Sequence, residues 1–225
     1  IGVFQVLNKL AGPFTSEDED WLEALTAVAS GLIEQAQAYA EIESFVDKTL
    51  EVLAQTIDKR DPLTAGHSVR VTNYSLLIGT GLDVIAEDLD VLRYSAMMHD
   101  YGKIGVPESI LWKPDKLTEE EKSIMSRHPV KSAEIIGDLK GLKRAREYVK
   151  HHHEYYDGNG YPDGLSGETI PIGARIILVS DAYDAMTTDR PYRNAIGHVR
   201  AIEELKKLAG TQFDPNVVNA LLALT

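Results

Sequence analysis

Val91-Leu92-Arg93-Tyr94-Ser95-Ala96-Met97-Met98-His99-Asp100-Tyr101-Gly102-Lys103 is an apolar helical run that ends on an imidazole and a carboxylate, with a glycine two residues on to stop the helix. An acid and a base therefore meet at a helix end. Outward from this point the pattern stays helical. From residue 49 onward, turn clusters at Asp61-Pro62, Gly102 to Pro107, Lys113-Pro114-Asp115 and Asp157 to Gly167 separate amphipathic stretches. Thr118-x-x-Glu121 predicts a helix cap, Pro171 suits the first turn of the next helix, and Asp214-Pro215 starts the last. The expected fold class is all-α, a domain of several short helices.

Two further elements are expected ahead of that domain. Gly2 to Asn8 alternates small or apolar with polar residues and reads as a short strand, ended by Gly12-Pro13. Ser16-x-x-Glu19 is a capping box that opens a long linker helix, with Leu22, Leu25, Ala29, Leu32, Ala36 and Tyr39 forming a heptad-like stripe. The stripe continues through Ile42, Val46, Leu50, Leu53 and Ile57, but its phase slips near residues 39 to 46. The domain junction is placed there, dividing the chain into 1–42 and 43–225. Such a seam either packs on its own domain or pairs with a second copy as a parallel signalling helix.

Composition narrows the chemistry. A chain of 225 residues, 44% hydrophobic and 26% charged, suits one full domain plus a fragment or linker and speaks against disorder. Lys and Arg number 23 against 35 Asp and Glu, a net charge of −12 that repels DNA and RNA polymers, so a phosphorylated ligand needs a strong local positive charge. With no cysteine, disulfides, thiolate zinc sites, iron–sulfur clusters and cysteine nucleophiles are excluded together. Any metal must be held by His, Asp or Glu. No run of 18 apolar residues and no basic-then-apolar leader is present, so a cytoplasmic protein is expected, and the start at Ile1 suggests a piece of a longer chain.

Seven histidines stand at 67, 99, 128, 151, 152, 153 and 198. His128 precedes Pro129, His152-His153 precede a glycine-rich loop, and Asp181 lies within the apolar run Ile176 to Ala182, where burial is costly unless it is paired or ligates a cation. Each alone suits a core histidine or a surface acid; jointly they suit a metal site.

His99-Asp100-x-Gly102-Lys103, followed by His152-His153-Glu154-x-x-Asp157-Gly158-x-Gly160-Tyr161-Pro162, resembles the HD-GYP family, a subgroup of the HD metal-dependent phosphohydrolases. The likeness extends to Asp61-Pro62-x-Thr64-x-x-His67-Ser68 and to Asp181-Ala182-x-x-Ala185-Met186-Thr187-Thr188-x-Arg190-Pro191-Tyr192-Arg193, over about residues 45 to 225. Residues 1 to about 40 resemble the closing strand and final helix of a GAF sensory domain, through Gly2-Val3-x-Gln5-Val6-x-Asn8-Lys9 and Phe14-Thr15-x-x-Asp18.

The resemblance implies two divalent metal ions. His67, His99, Asp100 and Asp181 surround one, and Asp100 bridges to a second held by His128, His152 and His153. Ligand softness suits iron, manganese or zinc about equally; iron or manganese is the family's choice. A third metal in some members needs a Glu where this chain has Leu63. Tyr101 replaces a common small aliphatic residue. Lys103 joins Asp100 in the chemistry, stabilising the phosphate or the leaving alkoxide, while Lys103, Arg190, Arg193, Tyr161 and Asp184 bind substrate. Gly160, Tyr161 and Pro162 form a gating loop, or a docking site for a diguanylate cyclase domain.

The implied reaction is hydrolysis of cyclic di-GMP to linear pGpG, with continuation to GMP left open, two cations having reversed the acidic field locally. Another cyclic dinucleotide, such as 3′,3′-cyclic GMP-AMP, is equally compatible with the residues. A non-catalytic nucleotide receptor and a protein-interaction module are the readings from other classes.

Overall fold

The computed structural model describes residues 2–10, 12–60, 66–137, 142–189 and 194–224. The chain divides into two compact units, Ile1–Thr49 and Leu50–Thr225.

In the first unit the expected strand is absent. Residues 2–9 run without regular structure, because a single extended segment has no neighbour to take its ladder hydrogen bonds. Helix α1, Ser16–Arg60, follows. Its reciprocal cap lies one residue earlier than the sequence pattern suggests: Asp18 accepts from Thr15 N at 2.7 Å and Thr15 Oγ1 accepts from Asp18 N at 3.4 Å. The Lys9 ammonium pairs with Asp18 as well. Leu25, Leu32, Tyr39 and Ile42 of the apolar stripe are exposed.

The regular structure among the second unit's described residues is helical, apart from an isolated bridge between Ala209 and Phe213. Helices α2 (His67–Gly81), α3 (Ala86–Met98), α8 (Ile172–Thr187), α9 (His198–Leu208) and α10 (Pro215–Ala223) enclose the main core. Val71, Ile78, Leu92, Ala96, Ile176, Ile177, Val179, Leu205 and Val217 are its centre. Each large side chain fully withdrawn from water there contributes about 1.5–3 kcal/mol. Short helices α4 (Glu108–Leu111), α5 (Glu119–Met125), α6 (His128–Ile136) and α7 (Lys143–Lys150) complete the fold, with a 3-10 turn at Tyr101–Gly105. Thr118 and Glu121 form the expected capping box on α5, Asp214 caps α10, and Pro171 sits at the N-cap of α8.

The last turns of α1, from Leu50 on, are part of this unit. Ala54, with Leu50 and Ile57 beside it, joins Met98, Tyr101, Ile136 and Val149 in a second core cluster. Asp58, buried, accepts from the backbone and hydroxyl of Ser68, the neighbour of His67. Arg60 donates to the carbonyls of Lys103, Ile104 and Val106. The first tie ends beside His67, and the second begins at Lys103, three residues past Asp100.

Candidate metal centre

The expected ligands arrive from separate elements. His67 opens α2, His99 is the C-cap of α3, Asp100 leads into the 3-10 turn, His128 opens α6, His152 and His153 follow α7, and Asp181 lies in α8. The structure brings all seven together. Asp100 is central: its Oδ2 lies 3.4 Å from His99 Nε2 and 3.8 Å from His67 Nε2, while its Oδ1 lies 3.3 Å from His128 Nε2. His67 Nε2 is 3.3 Å from Asp181 Oδ1, and the Nε2 atoms of His128 and His152 are 3.4 Å apart. Three overlapping groups could each hold one ion: His128 with His152 and His153; His67 with His99 and Asp181; and His99 with Asp100 and His152.

Backbone geometry aims the rings. The Nδ1 atoms of His99, His128 and His152 donate to the carbonyls of Ala96, Met125 and Val149, each three residues earlier. That bond leaves a lone pair on Nε2, directed at the centre, and fills an orphan carbonyl near the end of a helix. His67 differs, since its Nδ1 meets Asp184 Oδ2 at 2.7 Å.

Close backbone approach is needed at two glycines. A Cβ on Gly102 would stand 2.1 Å from the His128 carbonyl and 2.6 Å from Ser132 N. Gly102 N donates to Ser132 Oγ, which itself donates to the His99 carbonyl, so one buried hydroxyl ties the Asp100 turn to α6. A Cβ on Gly160 would stand 2.2 Å from Tyr155 N and 2.5 Å from the His153 carbonyl. This contact seats the Gly160-Tyr161-Pro162 loop on the histidine pair: Tyr161 N donates to His153 O, and the Tyr161 and His153 rings are 5.0 Å apart. Glu154, fully buried, holds the same loop by accepting from Asp163 N and Leu165 N.

The protonation states suit ligation. Burial lowers His128 to about 3 and His153 to about 4, against the pull of Asp100 and Asp181, and holds His152 well below its ordinary range. These imidazoles are neutral near pH 7. Burial opposes ionisation of Asp100 and Asp181, but Lys103 and His99 hold Asp100, and His67 holds Asp181, below the usual carboxylate range. Burial also pulls His67 down, yet hydrogen bonds to Asp181 and Asp184 outweigh it and its pKa stands at about 9. A bound cation would displace that proton. Among the described residues His99 Nε2 is buried without a well-formed hydrogen bond, Asp100 Oδ2 standing 3.4 Å away, and a cation would satisfy it. The nitrogen and oxygen donors therefore fit divalent iron, manganese or zinc.

Other expected residues sort clearly. Lys103 Nζ lies 2.7 Å from Asp100 Oδ2 at the edge of the centre. His151 turns away, bonding the Glu147 carbonyl and Asp163, and His198 contacts the Tyr183 hydroxyl. Arg190, Arg193 and Leu63 lie outside the described residues. Asp184, expected to bind substrate, is 1% exposed, and its oxygens accept from His67, Arg70 and Thr188. Sequence reasoning gave no role to Ser132, Arg70 or Asp58. Only Glu154 carried a signal, as part of the His152-His153-Glu154 run.

The HD domain family profile matches residues 51–217. A cyclic di-GMP phosphodiesterase response regulator of Xanthomonas campestris is 39% identical over 184 residues, covering 81% of this chain and 49% of its own. A 3′3′-cGAMP-specific phosphodiesterase of Vibrio cholerae is 35% identical over 187 residues, covering 83% and 41%. Among solved structures, a cyclic GMP-AMP specific phosphodiesterase of V. cholerae superposes with a TM-score of 0.64 at 17% identity, covering 79% of this chain and 48% of that one, which shows a shared fold. The chain spans about half the length of the curated relatives it matches.

Proposed function

The chain belongs to the HD domain family, and from that premise we propose that it is an HD-GYP-type phosphodiesterase that opens cyclic di-GMP to pGpG, with GMP as the alternative end product. The observation that carries this reading is the position of Asp100, with one oxygen facing His67 and His99 and the other facing His128. On this reading His67, His99, Asp100 and Asp181 would hold one divalent ion, and Asp100, His128, His152 and His153 a second. Bound there, divalent iron or manganese would supply an activated water at neutral pH and offset charge on the phosphoryl oxygens.

The side chains do the rest. Lys103, set beside Asp100, donates to a phosphate oxygen or to the leaving 3′ oxygen as charge develops there. Tyr161 offers a ring face for a base, and Arg190 and Arg193 supply guanidinium forks suited to phosphate and guanine edges. Gly160, Tyr161 and Pro162 gate the site or dock a diguanylate cyclase domain. Residues 1–42 end a GAF-type sensory domain, and 43–225 form the catalytic domain. The exposed stripe of α1 pairs with a second copy of the chain, burying Leu25, Leu32, Tyr39 and Ile42. Among the described residues no helix is long and apolar enough to cross a membrane.

A second substrate reading, 3′,3′-cyclic GMP-AMP, is favoured by the similarity to the V. cholerae enzyme named for it. Anaerobic purification with elemental analysis, then chromatography of products from both dinucleotides, tests the proposal. Absence of metal, or two intact substrates after loading with Fe²⁺ and Mn²⁺, refutes it.

A further inference from the structure

The histidines of the centre are braced in two different ways. His99, His128 and His152 lean on neutral backbone carbonyls of their own chain segments. His67 is gripped by two carboxylates of α8: Asp181 Oδ1 stands 3.3 Å from Nε2, and one turn later Asp184 Oδ2 stands 2.7 Å from Nδ1. One helix thus presents an acid to each edge of the same ring.

Asp184 is buried, and an isolated carboxylate there would be expensive. Arg70 answers it. One turn beyond His67 on α2, Arg70 places Nε 2.6 Å from Asp184 Oδ1 and Nη2 3.0 Å from Oδ2, a two-point fork that fixes the plane of the carboxylate. Thr188 Oγ1 adds a third donor at 3.2 Å. The guanidinium side chain is 33% exposed, so the brace reaches from the centre to the surface.

We infer that Arg70 and Asp184 are a positioning pair which sets the affinity of one metal position, the one holding His67, and leaves unchanged the other, which includes the backbone-braced His128 and His152. The inference rests on the metal-centre reading above and extends it. A carboxylate accepting from a ligating imidazole fixes its tautomer, orients its ring and makes it a stronger donor, and loss of such a partner typically weakens metal binding about 10–100-fold. The two positions are therefore unequal by design of their supports, not of their ligands alone.

The test is titration of the metal-free chain with Co²⁺, read by visible absorption and checked by elemental analysis after gel filtration. Wild type should take up two ions. Asp184→Asn should retain one tight ion and bind the other about 10–100-fold more weakly, with Arg70→Gln shifted the same way. The retained ion is identified by adding His153→Ala: the Asp184→Asn, His153→Ala double variant should hold no tight ion, whereas His153→Ala alone should still hold one. Thermal unfolding of each metal-free variant monitors folding. Should Asp184→Asn fail to fold, Arg70→Gln decides, because its side chain is partly exposed. Two ions bound with wild-type affinities by either folded variant would overturn the inference, as would equal weakening of both. A wild-type chain that binds no Co²⁺ would instead overturn the metal-centre reading itself.

Discussion

Replacing Gly102 by alanine should damage the fold and the site together, and Gly105 provides a control in the same 3-10 turn. The new methyl at 102 would sit 2.1 Å from the His128 carbonyl oxygen, where an ordinary carbon–oxygen approach is about 3.3 Å. Backbone cannot swing aside as a side chain does, so the turn must withdraw from α6 by about 1 Å. The withdrawal stretches the Gly102–Ser132 and Ser132–His99 bonds, each worth about 1 kcal/mol, and adds overpacking strain of about 1–3 kcal/mol. A net loss of about 3 kcal/mol lowers the melting temperature by about 6–12 °C in a domain of this size. It also moves Asp100 relative to His128, and a misplacement of about 1 Å is worth about 100-fold in turnover. At Gly105 the nearest atom to a new methyl is Lys131 Nζ, at 2.8 Å, the movable end of a side chain. Gly105→Ala should stay within about 0.5 kcal/mol of wild type. Calorimetry of the metal-free variants and cyclic di-GMP turnover after Mn²⁺ loading measure both effects. If the two variants behave alike, backbone contact at Gly102 is not what spaces the ligands.

Asp100→Ala should lose both ions and turnover, checked by elemental analysis; a wild-type metal content would remove Asp100 from the bridge. His151→Ala should keep both ions and cost about 1–2 kcal/mol for its bonds to Glu147 and Asp163, read from denaturant unfolding, and loss of one ion would mean that the wrong pair of the three adjacent histidines has been assigned. Lys103→Ala should retain metal yet slow single-turnover hydrolysis by about 10–1,000-fold, and an unchanged rate would exclude it from the chemistry. Without metal, the raised pKa values of His67 and His99 give stability that is full below pH 6.5 and lost as pH climbs, for His67 through about 9. The lowered values of His128, His152 and His153 instead withdraw stability as pH falls below 6.5. Unfolding temperature of the metal-free chain should therefore peak near pH 6.5, and a monotonic profile from pH 5 to 9 would contradict these environments.

The set of seven residues rests on the HD-GYP resemblance, and several of them also sit at local landmarks. His99-Asp100 follows an apolar helix and precedes a glycine, and His152-His153 precede a turn-rich loop, so nearby residues announce them. The helical character and the caps at Thr118 and Asp214 were readable for the same reason: periodicity and capping act within a few residues. What escaped depends on distant partners. Asp184 is an acid on α8 like any other until Arg70 and His67, more than 100 residues earlier, fold against it. Ser132 has no sequence mark at all, yet it joins His99 to Gly102. Residues 2–8 show the opposite error, since alternation alone cannot supply the neighbouring strand that a sheet requires.

Three of the histidines finish a helix with one nitrogen and face the centre with the other, and this double duty restricts what can replace them. An engineer who exchanges His99 for cysteine, hoping to recruit a softer cation, also removes the group that closes off the Ala96 carbonyl. The thiolate would still coordinate, but the end of α3 would fray and carry Asp100 with it. Retuning such a centre for another element calls for rewriting the helix terminus and the donor atom at the same time.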